Sequence, residues 1–228
     1  MLAALYDIHG NLPALDAVLA DAEAAGADRF LLGGDYASLG AWPVETLERL
    51  RTLPSAGWLR GNWERWQAHP GEAPELEFIQ AAMAWVRAAL GPETASELGE
   101  LPTTIRHGEA LFSHGSPASD MRTYMPEPAD DEPELLAGLD ERRLVFGHSH
   151  LQFKRTAANG TELVNAGSVG LPFDGDTRAA YALFRPDRVE LRRVQYDHIA
   201  VGAAIRERMP GVGDDLARRV ETATPPGG

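Results

Sequence analysis

Five short apolar runs recur along the chain, and polar residues of the kind that bind metals follow each of them. The runs occupy residues 2–6, 30–32, 57–59, 110–112 and 144–146. Unbroken apolar runs of this length predict strands that are buried on both faces. The polar residues that follow them are Asp7, His9, Asp35, Asn62, His114, His148 and His150. Because sites in open α/β sheets form where the strands end, we expect these seven side chains to converge at one edge of the fold.

The chemistry of these seven side chains narrows the function. They offer carboxylates, imidazoles and one amide, and the chain contains no cysteine. This mixture suits hard or borderline divalent metals that activate water, and it does not suit soft copper or iron–sulfur centres. The absence of cysteine also excludes disulfide bonds and thiolate metal sites. The sequence therefore indicates a metal-dependent hydrolase.

Length, hydropathy and charge bound the class of protein. A chain of 228 residues, 44% of them hydrophobic, can bury a sizeable core, and we expect one domain over residues 1–228. No apolar stretch approaches the roughly 20 residues that span a bilayer, and Met1 leads directly into the first predicted strand. We therefore expect a cytoplasmic protein with no membrane partner, and the sequence leaves its oligomeric state open. With 34 acidic against 21 basic residues the net charge is −13, which disfavours a long nucleic acid as a partner.

Helices alternate with strands in the first half of the chain. Asn11 is predicted to cap the first helix and Gly26 to end it. The predicted helices cover residues 12–25, 43–53, 76–90 and 92–98. We expect residues 63–74 to be irregular, so that a helical insert at about 63–100 follows Asn62 directly.

The second half is predicted to form short strands joined by turns, followed by helices. Turn signals occur at residues 107–109, 159–160 and 186–188. Residues 117–133 are rich in proline and aspartate, and we expect a loop there beside His114. Helices are predicted over 198–208 and 214–223, and the tail at 225–228 is expected to be frayed.

The order of the motifs carries a family resemblance. They read Asp-Ile-His-Gly-Asn at 7–11, Gly-Asp at 34–35, Gly-Asn-Trp-Glu at 61–64, Ser-His-Gly at 113–115 and Gly-His-Ser-His at 147–150. In this order, each after a strand-like run, they resemble the calcineurin-like metallophosphoesterase superfamily. Residues 165–172 and 176–181 are similar to its small bacterial and archaeal phosphodiesterase-like members. The resemblance implies an α/β (α+β) fold, a four-layer sandwich of two mixed β-sheets flanked by helices.

The resemblance also implies a site for two divalent metal ions. Two cations about 3.5–4 Å apart repel each other and need a negative bridging ligand, a role that we give to Asp35. The family pattern divides the other ligands into Asp7, His9 and His150 on one metal and Asn62, His114 and His148 on the other. Asp35, Asn62 and His114 are also the predicted catalytic residues. Manganese is the first choice for both metals, with iron, zinc or nickel as alternatives.

The implied reaction is phosphoester hydrolysis. In the family a hydroxide that bridges the two metals attacks phosphorus in line with the leaving oxygen. We therefore expect an enzyme that hydrolyses small phosphodiesters, nucleotides among them, with phosphomonoester or phosphoprotein hydrolysis as a variant. A metal-binding scaffold without catalysis is the other class, because the resemblance also covers the retromer scaffold subunit, which has lost parts of the catalytic residues. Retention of all seven predicted ligands favours the enzyme.

Trp63 departs from the family pattern. Many relatives have histidine at this position, where the imidazole is assigned to protonating the leaving group or to stabilising phosphoryl charge. Indole can do neither. Without this histidine, hydrolysis of esters with poor leaving groups is in doubt, since general acid catalysis contributes about 10²–10⁴-fold to the rate. Glu64, which completes the motif, is interpreted as structural.

Four residues are candidates for substrate contact: Asn11, Trp63, Arg65 and Arg122. Trp63 and Trp66 lie three apart, so in a helical turn their rings share one face, with Arg65 beside them. They could form a platform on which a base stacks while arginine meets phosphate. Packing of both tryptophans beneath the helical insert is the alternative. Asn11 is equally well explained as a helix cap.

Overall fold

The computed structural model describes residues 1–209 and 211–225, and ten strands form in these residues. The strands are β1 (Leu2–Leu5), β2 (Arg29–Leu32), β3 (Ser55–Trp58), β4 (Thr104–His107), β5 (Ala110–Ser113), β6 (Arg143–Phe146), β7 (Phe153–Thr156), β8 (Glu162–Asn165), β9 (Ala179–Phe184) and β10 (Val189–Val194). The α-helices are α1 (Leu12–Ala24), α2 (Pro43–Arg51), α3 (Asn62–Ala68), α4 (Glu77–Gly99), α5 (Glu132–Leu135), α6 (His198–Arg208) and α7 (Gly213–Thr222). Of the tail that is expected to be frayed, residues 226–228 lie outside the described part of the chain.

The first sheet has the strand order β10-β9-β1-β2-β3. Strands β1, β2 and β3 are parallel, and the helices α1 and α2 form the crossovers between them. Strands β9 and β10 pair antiparallel on the other side of β1. Because parallel strands point the same way, the carboxyl ends of β1, β2 and β3 meet at one edge, which is where the first three motifs follow.

The second sheet has the strand order β4-β5-β6-β8-β7. Strands β5, β6 and β8 are parallel, and β4 and β7 are antiparallel edge strands. The turns predicted at 107–109 and 159–160 join β4 to β5 and β7 to β8, and the turn at 186–188 joins β9 to β10. Both sheets are therefore mixed, as the resemblance predicts.

Side-chain alternation in β1 buries both faces of the first sheet. Leu2 and Ala4 face the second sheet and pack in the same cluster as Val145. Ala3 and Leu5 face the other way, into a core shared with all of the long helices. The far face of the second sheet is covered by α5 and by the loop that precedes it. The result is a four-layer sandwich of two mixed sheets, which confirms the predicted fold class.

The segment directly after Asn62 is more helical than predicted. The expectation of an irregular segment over 63–74 was wrong, because α3 occupies its first half and a 3-10 turn spans Pro70–Glu72. Helix α3 has only seven residues, too few for a hydrophobic period to show in the sequence. It is stabilised by tertiary packing, since Trp63 and Trp66 are both buried in the main core.

The other helix predictions are confirmed. The helices α1, α2, α6 and α7 begin within one residue of their predicted starts, and the two helices predicted over 76–98 form α4, which bends at Gly91 with φ of 78°. Asn11 caps α1, because its Oδ1 accepts a hydrogen bond of 3.2 Å from Ala14 N. Among the described residues, no helix combines the length and the apolar character that crossing a membrane requires.

We expect Tyr6→Phe to weaken the contact between the two sheets. The buried hydroxyl of Tyr6, just after β1, donates a 3.0 Å hydrogen bond to Val145 O on β6. Losing one such bond should lower the free energy of unfolding by about 1 kcal/mol. Urea unfolding with chelator present measures this without a metal contribution. An unchanged midpoint at an unchanged m-value would contradict the prediction.

Candidate metal centre

The seven predicted ligands lie together at the edge where strands of both sheets end. Asp7 and His9 follow β1, Asp35 follows β2, Asn62 opens α3, His114 follows β5, and His148 and His150 follow β6. Five of them, Asp7, His9, Asp35, His148 and His150, have φ angles between 49° and 64°. This left-handed backbone is rare for residues other than glycine and costs about 1–3 kcal/mol at each position. The sharp turns that follow the strands direct these side chains into one buried cluster.

Asp7, His9 and His150 form one group of potential ligands. The Nε2 atoms of His9 and His150 are 3.2 Å apart, and they lie 3.9 and 3.4 Å from Asp7 Oδ1, respectively. All three side chains are buried. One carboxylate oxygen and two imidazole nitrogens thus surround a space of the size that a divalent cation fills.

Asn62, His114 and His148 form a second group around one amide oxygen. Asn62 Oδ1 lies 3.1 Å from His114 Nε2 and 3.1 Å from His148 Nδ1. Asp35 joins this group, because its Oδ2 is 3.4 Å from His114 Nε2. The structure therefore brings together the same residues that the family pattern divides between two metals.

Both carboxylates lie between the two groups. Asp35 Oδ2 is also 3.9 Å from His9 Nε2, so it faces an imidazole of each group. Asp7 Oδ1 has the same property, since it lies 3.9 Å from His114 Nε2 as well as close to His9 and His150. By these distances, Asp7 as well as Asp35 lies where a ligand that bridges the two groups would lie.

Backbone carbonyls fix the orientation of three imidazoles. His114 Nδ1 donates to Gly33 O at 2.9 Å, His9 Nδ1 lies 3.2 Å from Ser38 O, and His150 Nδ1 donates to Leu171 O. When such a ring is neutral, donation through Nδ1 leaves a lone pair on Nε2, and it is the Nε2 atoms that face the carboxylates. The carbonyls therefore favour the tautomer that binds a metal.

Burial and neighbouring charge shift the titration of these groups. Burial lowers the pKa of both His9 and His148 to about 4. At His114 burial also opposes protonation, but the carboxylates of Asp35 and Asp7 outweigh it and raise the pKa to about 10. Burial likewise opposes ionisation of the two carboxyls, whose pKa values still fall below the usual range because imidazoles face them. Asp7 and Asp35 are therefore ionised at neutral pH.

The polar atoms of this cluster fit a divalent cation. Asp7 Oδ2 accepts a 2.8 Å hydrogen bond from His148 N, whereas the buried Asp7 Oδ1 has no hydrogen-bond partner. A buried carboxylate oxygen without a partner is costly. A cation among Asp7 Oδ1 and the Nε2 atoms of His9 and His150 would satisfy all three acceptors, and its hard or borderline character matches oxygen and imidazole ligands.

Glu64 holds two of the motif loops in place. Its buried carboxylate accepts hydrogen bonds from the backbone N–H groups of Asp35, Tyr36 and Gly61, at 2.8, 2.9 and 2.9 Å. Burial and the charge of Asp35 raise the pKa of Glu64 to about 7. The loops approach so closely that a Cβ on Gly61 would lie 2.2 Å from Asp35 Oδ1. Glu64 thus has the structural role that its place in the motif suggests.

Three of the four predicted substrate contacts are engaged within the chain. Asn11 is buried, and its Nδ2 donates to Gly170 O at 2.9 Å. Arg65 forms a two-bond ion pair with Asp120, at 2.6 and 2.9 Å, and this pair joins the helical insert to the loop that follows His114. Arg122 pairs with Asp131 and with Glu134 on α5. Substrate contact by the three residues stays a prediction.

Trp63, the fourth, packs in the core, which was the alternative considered for it. Its side chain is 6% exposed and packs edge-to-face on Trp66, with ring centroids 5.3 Å apart. Its backbone N–H donates a 3.0 Å hydrogen bond to Asp35 Oδ1. Trp63 also lines a cavity beside the cluster, and its contact with substrate stays a prediction.

A cavity of about 630 Å³ opens directly beside the predicted metal ligands. Five of the seven predicted ligands line it. Further walls come from Trp63, Trp66, Phe78, Phe173 and Arg219. The last three were not found from the sequence, because they come from segments far apart in the chain and none of them stands in a motif. Two exposed apolar residues, Leu76 directly before α4 and Met121 in the loop after His114, also line this cavity.

Sequence and fold together identify the class of protein. A family model described as the calcineurin-like phosphoesterase superfamily domain matches residues 1–188. The chain belongs to this superfamily of metal-dependent phosphoester hydrolases, as its motifs suggest.

Three relatives illustrate how far the likeness extends. A metallophosphoesterase from Sphaerobacter thermophilus has a TM-score of 0.80 at 28% identity, over 98% of both chains. A hypothetical protein from Pyrococcus horikoshii has a TM-score of 0.82 at 19% identity over 98% of this chain and 99% of its own, and it shows the fold alone. An uncharacterized protein of Methanocaldococcus jannaschii is 29% identical, over 92% of this chain and 94% of its own length.

We expect Mn²⁺ to stabilise the protein through this cluster. At 100 times its dissociation constant the ion should add about 2.7 kcal/mol to the free energy of unfolding and raise the melting temperature. His148→Ala should reduce that shift, because it removes a nitrogen that lies 3.1 Å from Asn62 Oδ1. The exposed His69 offers a matched control in His69→Ala. Thermal unfolding with Mn²⁺ and with EDTA gives the comparison, and equal shifts in both variants would place the ion elsewhere.

Proposed function

We propose that this protein is a dinuclear metal phosphoesterase that hydrolyses small phosphodiesters, nucleotides among them. The observation that supports this most directly is the pair of carboxylates shared by the two ligand groups. Asp35 Oδ2 and Asp7 Oδ1 each lie within 3.9 Å of His9 Nε2 and of His114 Nε2. Two cations in these groups would each meet both negative side chains, which offset the repulsion between the cations.

Manganese is our first choice for both positions, with iron, zinc or nickel as alternatives, because all of them accept oxygen and imidazole ligands. When bound, such a pair of cations activates water as the nucleophile and stabilises charge on the phosphoryl group. The retained ligands favour this enzyme over a scaffold, because the chain carries a strained, buried cluster that a scaffold does not need.

The chain's own residues prepare the site before any substrate arrives. The carbonyl oxygens of Gly33, Ser38 and Leu171 hold three imidazoles with Nε2 toward the centre. Glu64 fixes the loops that carry Asp35 and Asn62 through three backbone hydrogen bonds. Placement of this kind lowers the reorganisation that the reaction requires.

Trp63 and Glu64, which follow Asn62 in its motif, do not protonate the leaving group. Trp63 has only an indole N–H, which is not acidic in this range, and the Glu64 carboxylate is occupied by backbone N–H groups. The proposed enzyme therefore favours esters whose departing oxygen needs little protonation.

The size of the substrate follows from the cavity and the charge. A cavity of about 630 Å³ lies in the range that encloses small organic ligands. The net charge of −13 repels a long phosphate backbone. A small phosphoester is therefore the proposed partner.

Asp35→Asn should abolish turnover and weaken binding of both metals, because the neutral amide no longer offsets the charge of two cations. Metal content by mass spectrometry and hydrolysis of bis(4-nitrophenyl) phosphate measure the two effects. The exposed hairpin variant Asp187→Asn removes the same charge away from the site and serves as a control. Full activity of Asp35→Asn with two metals retained would refute the proposed function.

Trp63→His should raise turnover of alkyl esters more than that of aryl esters. An imidazole can supply the proton that a poor leaving group needs, worth about 10²–10⁴-fold where it is limiting. Loss of the buried ring also removes cavity wall, so kcat and KM must be resolved separately. If wild type cleaves alkyl and aryl diesters at similar chemical-step rates and Trp63→His changes neither, the proton comes from another source.

A further inference from the structure

The cavity beside the metal centre is far larger and more apolar than a phosphate group requires. Trp63 and Trp66 from α3, Phe78 and Ile79 from α4, and Phe173 from a loop line it. The Phe173 ring also stacks on the His150 imidazole, with centroids 4.4 Å apart and planes 12° from parallel. Phe173 thus extends the aromatic lining of the cavity to a predicted metal ligand.

The mouth of this cavity is apolar as well. Leu76 is 60% exposed and Met121 is 44% exposed, and both line the cavity. Large apolar side chains that gather at the mouth of a cavity mark a surface that a ligand covers. The organic part of the ligand therefore meets apolar groups on entry and inside.

Few polar groups line the cavity away from the metal ligands. Among the described residues these are the side chains of Glu77 and Arg219 and the indole N–H groups of Trp63 and Trp66. The Arg219 guanidinium lies 4.7 Å from the centre of the Phe78 ring and forms an ion pair with Asp215, which does not line the cavity, and its buried Nε has no hydrogen-bond partner. A nucleobase buried here would leave several donors and acceptors of its edge unpaired, which costs binding energy.

We propose that the site selects phosphodiesters whose retained group is an aromatic hydrocarbon, and that Leu76 and Phe78 determine this specificity. This inference rests on the proposed function and narrows its substrate class from small phosphodiesters in general to apolar ones. In the reaction, water oxygen bonds to phosphorus, the bond to the departing oxygen breaks with its electron pair on that oxygen, and the protons of water pass to solvent. The aromatic group stays on the phosphoryl product.

The test keeps the leaving group constant and changes only the retained group. Methyl, benzyl and thymidine-5′ 4-nitrophenyl phosphates are all primary alkyl esters that release 4-nitrophenolate, so leaving-group protonation does not distinguish them. Burial of the benzyl ring should raise kcat/KM at least tenfold over the methyl ester, mainly through KM. The thymidine ester should fall below the benzyl ester.

Two variants locate the effect in the cavity. Leu76→Ser should lower the benzyl-to-methyl ratio of kcat/KM without threatening the fold, because Leu76 is 60% exposed. Ile199→Ser on α6, at 56% exposure, is its matched control and should retain the ratio. Phe78→Ala should lower the ratio further. A ratio that persists in Phe78→Ala and Leu76→Ser would overturn the proposal.

A binding measurement separates this inference from the proposed function. Dibenzyl phosphate should bind the Mn²⁺-loaded protein at least tenfold more tightly than dimethyl phosphate in calorimetric titration. Tight dibenzyl phosphate binding together with no turnover of any of the three 4-nitrophenyl esters would support the aromatic site and refute the hydrolase. Turnover with equal methyl and benzyl values, or with the thymidine ester preferred, would support the hydrolase and refute the aromatic site.

Discussion

Two buried carboxylates, those of Asp7 and Asp35, are the constraint around which this structure is organised. Their side chains are almost fully shielded from water, where an unpaired negative charge is very costly. Four imidazoles surround them, and the chain accepts left-handed backbone at five of the seven predicted ligands to achieve this. The three hydrogen bonds that Glu64 accepts, and the carbonyls that hold the imidazoles, offset part of that cost. The parallel strands of both sheets end at a common edge, where the predicted ligands lie.

This arrangement explains why the centre could be read from the sequence. Each predicted ligand stands within a few residues of a strand end or at the start of α3, and buried strands have a local signature. Once the strands are placed, the positions of Asp7 or His114 follow from the chain itself. The helix α3 lacked such a signature because it depends on two tryptophans that pack into the core. The cavity could not be predicted from the sequence either. Phe78, Phe173 and Arg219 lie far apart in the chain and come together only after folding.

The ion pairs of Arg65 and Arg122 show a second limit of sequence reasoning. Arg65 and Arg122 stand near motifs and carry the charge that phosphate requires, but each meets carboxylates of the chain. In a protein with 34 acidic and 21 basic residues, an arginine on the surface has many internal partners. Which carboxylate each arginine pairs with depends on the conformation of the loops, which cannot be predicted from the sequence alone. Even the buried Arg219 pairs with Asp215.

Trp63 links the metal centre to the cavity and makes the two parts of the site interdependent. Its backbone N–H holds Asp35 Oδ1, while its ring forms cavity wall together with Trp66. A histidine at this position would bring an acid to the leaving group, but it would replace apolar wall with a polar ring. The indole of Trp63 provides apolar wall but no acid. Trp63 therefore adds apolar wall to the cavity and lacks the acid of a histidine, and under the proposed specificity both would favour a diester that binds through its retained hydrocarbon group and releases an oxygen that needs little protonation.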